Sequence, residues 1–265
     1  MHKAFVPFVF TEIAITRRQL DAIPKHHREM FLASCLAAND IGATWRMLLQ
    51  ARSEATSSLI KLITSQVYIS LARNLSSQCV EFLKSLVSYG DKLNRAEDQL
   101  IKARVAQILE KYRRGDLHDL AVRLRHEMTN HYSRAGVGRH VERFPPEHVF
   151  RIVLHDLVGN SNYMIGEEVG VFGLIREKGE RDFDALVQWA HECSGELMDF
   201  QQALAIDLFE RFVPDLEACK REVPVESDLV FGADRRLPLF FRVDRAKHSS
   251  SDGRFRGSTR QRRSK

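Results

Sequence analysis

Residues 116–133 read DLHDLAVRLRHEMTNHYS and combine a regular apolar spacing with a dense group of reactive side chains. The apolar residues recur at intervals of three and four, which is the pattern of one face of an amphipathic helix. They are Leu117, Leu120, Leu124, Met128 and Tyr132. The preceding RRGD, residues 113–116, predicts that Gly115 ends one helix and that Asp116 caps the next. The sequence therefore predicts a helix that starts here and packs against a core.

Polar side chains interrupt this apolar face. At about 100° per residue, His131 falls within the apolar stripe, Arg125 lies at its edge and His126 points to the opposite side. Asn130 and Tyr132 flank His131. Because burying an unpaired cation or imidazole is costly, these groups need either partners or a function.

Helical spacing also occurs in other parts of the chain, and no internal repeat is evident. The predicted helix over residues 56–89 has few charged residues, so we expect other helices or a second subunit to cover it. The segment 159–179 is rich in glycine and ambiguous, and residues 134–147 read as a loop. The predicted helical windows are 25–55, 56–89, 91–114, 147–158 and 181–212.

The resulting expectation is an all-α helical bundle with additions at both ends. Residues 1–24 form an apolar N-terminal arm, extended or a short strand over 4–15, and residues 25–212 form the bundle. Residues 213–245 are punctuated by proline and lean towards β structure, which predicts an irregular arm packed on the body. Residues 246–265 are poor in apolar residues and rich in Ser, Gly and Arg, which predicts a disordered basic tail.

The net charge of +5 is concentrated at one end of the 265-residue chain. Residues 242–265 hold nine Lys or Arg and two Asp, a net of +7, which leaves the other 241 residues at −2. The tail is either a solubilising extension or a nonspecific phosphate-binding arm. No apolar run of about 18 residues occurs and no secretory cleavage site follows the apolar start, so the sequence predicts a cytoplasmic protein without a membrane association.

Metal and cofactor motifs are not evident in the sequence. The four cysteines are isolated from one another, which favours reduced, mostly buried thiols. His126, Glu127 and His131 are similar to a zinc-protease helix, but a separation of five residues turns two histidines about 140° apart on a regular helix. The glycines of residues 166–173 lack the Lys-Ser/Thr ending of a phosphate loop, and no GxSxG element is present. We therefore expect no metal or cofactor.

The segment from Arg125 to His131, followed by Tyr132, resembles the signature of the HEPN superfamily. In that signature an arginine, usually followed by a polar residue, precedes a histidine by a short spacer; here His126 is the polar residue and five residues separate Arg125 from His131. The resemblance extends over residues 25–212, apart from the extra loop at 134–147. It implies a helical bundle, a homodimer and a metal-independent ribonuclease of toxin–antitoxin, abortive-infection or other antiviral systems. It also implies an RNA substrate and an antitoxin or another defence-system protein as a partner.

The residue types suit metal-free RNA cleavage. Histidine titrates near neutral pH and can deprotonate or position the ribose 2′-hydroxyl. Arginine stays charged and offers a planar donor fork to the pentavalent phosphate. We expect Arg125 and His131 to form the core pair, with assistance from His126, Asn130 and Tyr132. Two copies of the helix across a two-fold axis would bring two such pairs into one cleft.

A structural interpretation of the same residues is also open. Arginine and histidine occur at similar spacing elsewhere in the chain, so spacing alone carries little information. In this interpretation His131 bonds a neighbouring carbonyl in the core and Arg125 pairs with Asp119 or Glu127. The protein would then be a noncatalytic helical protein that binds a partner or nucleic acid. The other pairs are Arg113/His118, Arg134/His140, Arg143/His148 and Arg242/His248.

Overall fold

The computed structural model describes residues 9–51, 57–129, 134–154, 161–177 and 183–224. These residues form an all-α helical bundle with one small two-stranded sheet, so the predicted fold class is confirmed. Among the described residues, no helix has the length and apolar character that crossing a bilayer requires.

Three long helices form the centre of the bundle. They are α2 (Lys25–Gln50), α3 (Ser58–Gly90) and α9 (Phe183–Phe212), and each packs against the other two. Their apolar residues recur at helical spacing, and the buried side chains of α3 and α9 meet in one core. As expected from its few charges, α3 is covered along much of its length, here by α2, α9, α4 (Gln99–Tyr112) and α5 (Asp116–Leu124). The largest fully buried side chains of this core include Leu75, Phe82, Leu83, Leu86 and Phe200.

The two ends of the described chain meet in the sheet. Strand β1 (Val9–Ile13) pairs antiparallel with β2 (Lys220–Pro224), with Val9 opposite Pro224 and Ile13 opposite Lys220. A short helix α1 (Arg17–Ala22) follows β1, and its first turn is closed by a reciprocal capping box between Thr16 and Gln19. The apolar pattern of the sequence did not indicate this helix.

The region after α3 begins with a turn, although the sequence predicted a helix from residue 91. The chain bends at residues 91–95, forms a 3₁₀ turn at Ala96–Asp98 and starts α4 (Gln99–Tyr112) only afterwards. Asp98 is buried and bonded to Arg211 of α9, and this contact holds the bend against the bundle. Helix α5 (Asp116–Leu124) then begins at the predicted residue. Its N-cap is Gly115, with φ of 90°, and not Asp116.

Residues 134–154 differ from the prediction in both halves. The predicted loop contains helix α6 (Arg134–Val141), whose His140 packs on Gly173. The predicted helix over 147–158 is absent from its described part, residues 147–154, which holds a single bridge between Val153 and Asn162. Because Val149, Ile152 and Leu154 remain exposed, no packed face supports a helix there.

The ambiguous glycine-rich segment is helical in its described residues. It consists of α7 (Met164–Glu167), a π-helical turn (Glu168–Phe172) and α8 (Gly173–Glu177). Cys79 and Cys193 are buried, Cys35 and Cys219 are half-buried, and all four thiols are free, as expected. Most of the predicted C-terminal arm and all of the predicted tail, residues 225–265, lie outside the described residues.

Candidate functional site

Helix α5 carries the predicted apolar stripe into the core. Leu120, Leu124 and Met128 are buried and Leu117 is half-buried, while the last predicted member, Tyr132, lies outside the described residues. The helix starts where Gly115 takes a backbone conformation that other residues rarely adopt. This turn aims the stripe at α3 and α9, which α5 contacts.

The helix changes its winding at Arg125. Residues Arg125–Thr129 form a π-helical turn that continues α5, and the Thr129 hydroxyl donates to the Leu124 carbonyl at 3.3 Å. Turns of this kind are rare and occur frequently at functional sites. A π-helical turn holds more residues than an α-helical turn. The angle of about 100° per residue, which placed Arg125 and His131 relative to the apolar stripe, therefore does not apply across it. The sequence pattern gave no indication of this change.

Arg125 lies half-buried at the start of the π-helical turn. Its side chain is 16% exposed and forms an ion pair with Glu81 of α3, which also pairs with Lys84. Its Nη1 lies 3.4 Å from Nε2 of His126. His126 is exposed, as predicted. The guanidinium thus lies at the boundary between bundle and solvent, next to the Glu81 carboxylate.

Glu127 does not pair with Arg125, contrary to one structural interpretation of the sequence. Its Oε1 accepts hydrogen bonds from Nε and Nη2 of Arg123, both at 3.2 Å. Its Oε2 lies 3.8 Å from Nε2 of the buried His140. Arg123 and Glu127 are four residues apart on one helical face, where such pairs form readily. Glu127 therefore connects the π-helical turn to α6.

Arg73 of α3 ties the end of the π-helical turn to α7. Its Nη1 donates to the Met128 carbonyl at 3.1 Å, and its Nη2 lies 3.2 Å from Glu167. Both charged side chains are 12% exposed. Burial raises the pKa of Glu167, although the Arg73 guanidinium opposes this effect. The carbonyl at the end of the turn thereby has a charged donor, which stabilises the unusual winding.

Two glycines allow the second π-helical turn and α8 to approach this region. A Cβ on Gly170 would lie 2.9 Å from the Met128 sulfur, and a Cβ on Gly173 would lie 2.5 Å from Cβ of His140. The two π-helical turns are therefore in close contact. Glu167, Glu168, Phe172, Arg151 and Arg176 help to line a cavity of about 230 Å³ beside them.

We expect Gly173→Ala to lower the free energy of unfolding by about 1–3 kcal/mol, because the added methyl group meets the side chain and backbone of His140. Gly195→Ala is the matched control, since a Cβ there meets no atom within 4 Å. Removing a glycine from the interior of α9 should raise stability by about 0.5–1 kcal/mol. Urea unfolding measures both changes. Equal effects of the two substitutions would contradict the close approach of α6 and α8.

The structure describes two of the five predicted site residues. Arg125 and His126 lie at the π-helical turn, whereas Asn130, His131 and Tyr132 lie outside the described residues. The polar partners that the structure adds to this region come from other elements. They are Arg73, Glu81, His140 and Glu167, and none of them was among the five predicted site residues; His140 had been noted only as part of the Arg134/His140 pair.

Elsewhere in the described residues, three side chains that can bind a metal ion lie close together: His26, His27 and Asp98. These three come from the start of α2 and from the 3₁₀ turn before α4. At the π-helical turn each of three arginines faces a carboxylate: Arg73 faces Glu167, Arg123 faces Glu127 and Arg125 faces Glu81.

Comparison of the chain with known protein families, curated proteins and solved structures found no match.

Proposed function

We propose that the protein is a HEPN-like, metal-independent endoribonuclease that acts as a toxin or as an antiviral, abortive-infection effector. The single observation that carries the proposal is the π-helical turn that begins at Arg125, the first residue of the Arg-spacer-His signature. A rare and locally supported backbone irregularity at that residue is typical of a functional site. Arg125 and His131 are the core pair in this proposal, with His126, Asn130 and Tyr132 in supporting roles.

Arg125 would stabilise the charge that develops on the phosphate during cleavage. Its guanidinium lies at the border between bundle and solvent, where it forms an ion pair with Glu81 and is accessible to RNA. The neighbouring His126 is exposed and lies on the same side as Nη1 of Arg125, where it can contact the RNA backbone.

His131 would act on the ribose. A neutral imidazole takes the proton of the 2′-hydroxyl, the oxygen attacks the adjacent phosphorus, and the bond to the 5′-oxygen breaks. The imidazolium formed in this step returns a proton to the departing 5′-oxygen, so the products are a 2′,3′-cyclic phosphate and a 5′-hydroxyl. No metal or cofactor enters this sequence.

Assembly into a homodimer and a cytoplasmic location also belong to the proposed function. A homodimer would bring two Arg125/His131 pairs into one cleft, and an antitoxin or another defence-system protein would restrain the activity. The site of action would be cytoplasmic, where RNA is available. The net charge of +7 in residues 242–265 offers a sequence-independent attraction to RNA.

The test is hydrolysis of end-labelled single-stranded RNA by the purified chain in excess EDTA. We expect cleavage with cyclic-phosphate ends, and a loss of at least about 100-fold in Arg125→Ala and in His131→Ala. Arg114→Ala and His191→Ala are matched controls, since both side chains are exposed and neither belongs to the proposed site. Lack of cleavage by the wild type, or equal cleavage by all four variants, rejects the proposal.

A noncatalytic helical interaction protein is the second candidate. The observation that favours it is the ion pair between Arg125 and Glu81, which gives the arginine a structural partner within the bundle. In that case Arg125→Ala and His131→Ala bind RNA as tightly as the two control variants do. Catalysis and binding are thus separated by the same four variants.

A further inference from the structure

A second group of functional side chains lies at the end of the bundle where α2 begins. His26 and His27 occupy the first turn of α2, and Asp98 closes the 3₁₀ turn before α4. Their rings and carboxylate converge: the ring centroids of His26 and His27 are 4.0 Å apart, and Nε2 of His27 is 3.1 Å from Oδ1 of Asp98. The side chains of His27 and Asp98 are fully buried, and His26 is half-buried.

Each of the three residues keeps one buried polar atom without a hydrogen-bond partner among the described residues. These atoms are Nε2 of His26, Nε2 of His27 and Oδ2 of Asp98. Although His27 and Asp98 are close, their geometry does not satisfy the imidazole nitrogen. Buried polar atoms are normally bonded, so three unsatisfied atoms in one place require an explanation. One potential ligand atom from each residue lies within 4.8 Å of the others.

The other atoms of these side chains are held by a second layer of contacts. Nδ1 of His27 lies 2.7 Å from the Tyr89 hydroxyl, and Oδ1 of Asp98 accepts from Nη2 of Arg211 at 3.1 Å. A metal-bound histidine characteristically donates its other ring N–H to an oxygen, which orients the ring. If Nδ1 carries the proton and donates to Tyr89, then Nε2 of His27 has a free lone pair.

Arg211 and the acidic side chains beside it determine the charge around this cluster. Arg211 contacts three carboxylates, those of Asp98, Glu97 and Asp207, while Arg95 also pairs with Glu97. Because Arg211 lies at Oδ1 of Asp98, Oδ2 is the oxygen of this carboxylate that has no partner among the described residues.

We propose that His26, His27 and Asp98 bind one divalent transition-metal ion of the zinc class. Two imidazole nitrogens and one carboxylate oxygen are a preferred ligand set for such ions, and a water completes the coordination on the half-exposed side of His26. The ion satisfies all three unpartnered atoms together. It also fixes the start of α2 to the turn before α4, so its role is structural and independent of the proposed RNA site.

The test uses the full, tag-free chain, treated with chelator, dialysed and titrated with Zn²⁺ by calorimetry. We expect one site that is lost or weakened by at least about tenfold in His26→Ala and in Asp98→Asn, and a thermal midpoint that Zn²⁺ raises in the wild type but not in these variants. Asp98→Asn keeps the shape and the contact to Arg211, so it serves if His26→Ala fails to fold. Tyr89→Phe should weaken binding by about tenfold through the orientation of His27.

Two further measurements make the outcome decisive. His191→Ala removes an exposed histidine on α9 and should bind Zn²⁺ as the wild type does. Co²⁺ should give visible absorption bands in the wild type that are absent from Asp98→Asn, since these bands require the metal to be held by the protein. The proposal is overturned if the wild type shows no saturable site, or if Asp98→Asn and His191→Ala bind equally well.

Discussion

Leu124→Ala is expected to lower the free energy of unfolding by about 2–5 kcal/mol, because the Leu124 side chain is fully buried in the core. The loss combines the apolar surface returned to water with the cavity that remains beneath α5. Met128→Ala, one helical turn further along, should fall in the same range. Urea unfolding of each purified variant measures the effect.

Arg125→Ala provides the comparison on the same segment. Its partner Glu81 is 51% exposed, so solvent screens the ion pair and we expect a change of less than about 1 kcal/mol. His131→Ala should also leave stability nearly unchanged if the residue serves a solvated cleft, and should cost about 1–3 kcal/mol if it is a bonded core histidine. A loss from His131→Ala as large as that from Leu124→Ala would exclude the catalytic assignment.

Arg73→Ala should be the most damaging substitution of a charged residue near the π-helical turn, at about 3–5 kcal/mol. It removes the guanidinium that bridges the half-buried Glu167 carboxylate and the Met128 carbonyl. Lys84→Ala is the control, because Lys84 pairs with Glu81 on the surface and should cost at most about 1 kcal/mol. Similar losses in the two variants would show that Arg73 does not support the turn.

The pH dependence of stability tests the pair of Arg73 and Glu167. Burial raises the pKa of Glu167 above its ordinary value of 4.5. Between pH 4.5 and the raised pKa, the folded chain binds a proton that the unfolded chain has lost, so this group makes stability fall as the pH rises through that window. Glu167→Gln removes the titration. The thermal midpoint of the wild type should therefore fall relative to Glu167→Gln as the pH rises, and a constant difference would contradict the assignment.

Local periodicity explains what the sequence could predict. The long helices and the buried face of α5 follow from apolar residues at intervals of three and four, and Gly115 marked the turn before α5 through its backbone freedom. The predicted helix over 147–158 had the same periodicity but no surface to pack against in its described part. Apolar periodicity indicates which face of a helix could be buried. Whether that face is buried depends on the elements that pack against it.

Other features depend on contacts between distant residues and have no local signal. The π-helical turn at Arg125 is supported by Arg73 of α3, and α6 forms despite its glycines because His140 is buried against Gly173. The cluster of His26, His27 and Asp98 joins α2 to the turn before α4, and nothing in the spacing of these residues suggests a metal site. Such juxtapositions appear only when the helices are placed together.

The sheet at the ends of the described chain has a consequence for the order of folding. Strands β1 and β2 are linked by a hydrogen-bonded ion pair between Glu12 and Arg221, which are 209 positions apart in the sequence. Closing so long a loop in an unfolded chain costs conformational entropy that two short, mostly exposed strands cannot offset. Helical hairpins form from nearby residues and need no such closure. The strands therefore pair after the bundle has brought them together, and they are the first elements to separate when it loosens.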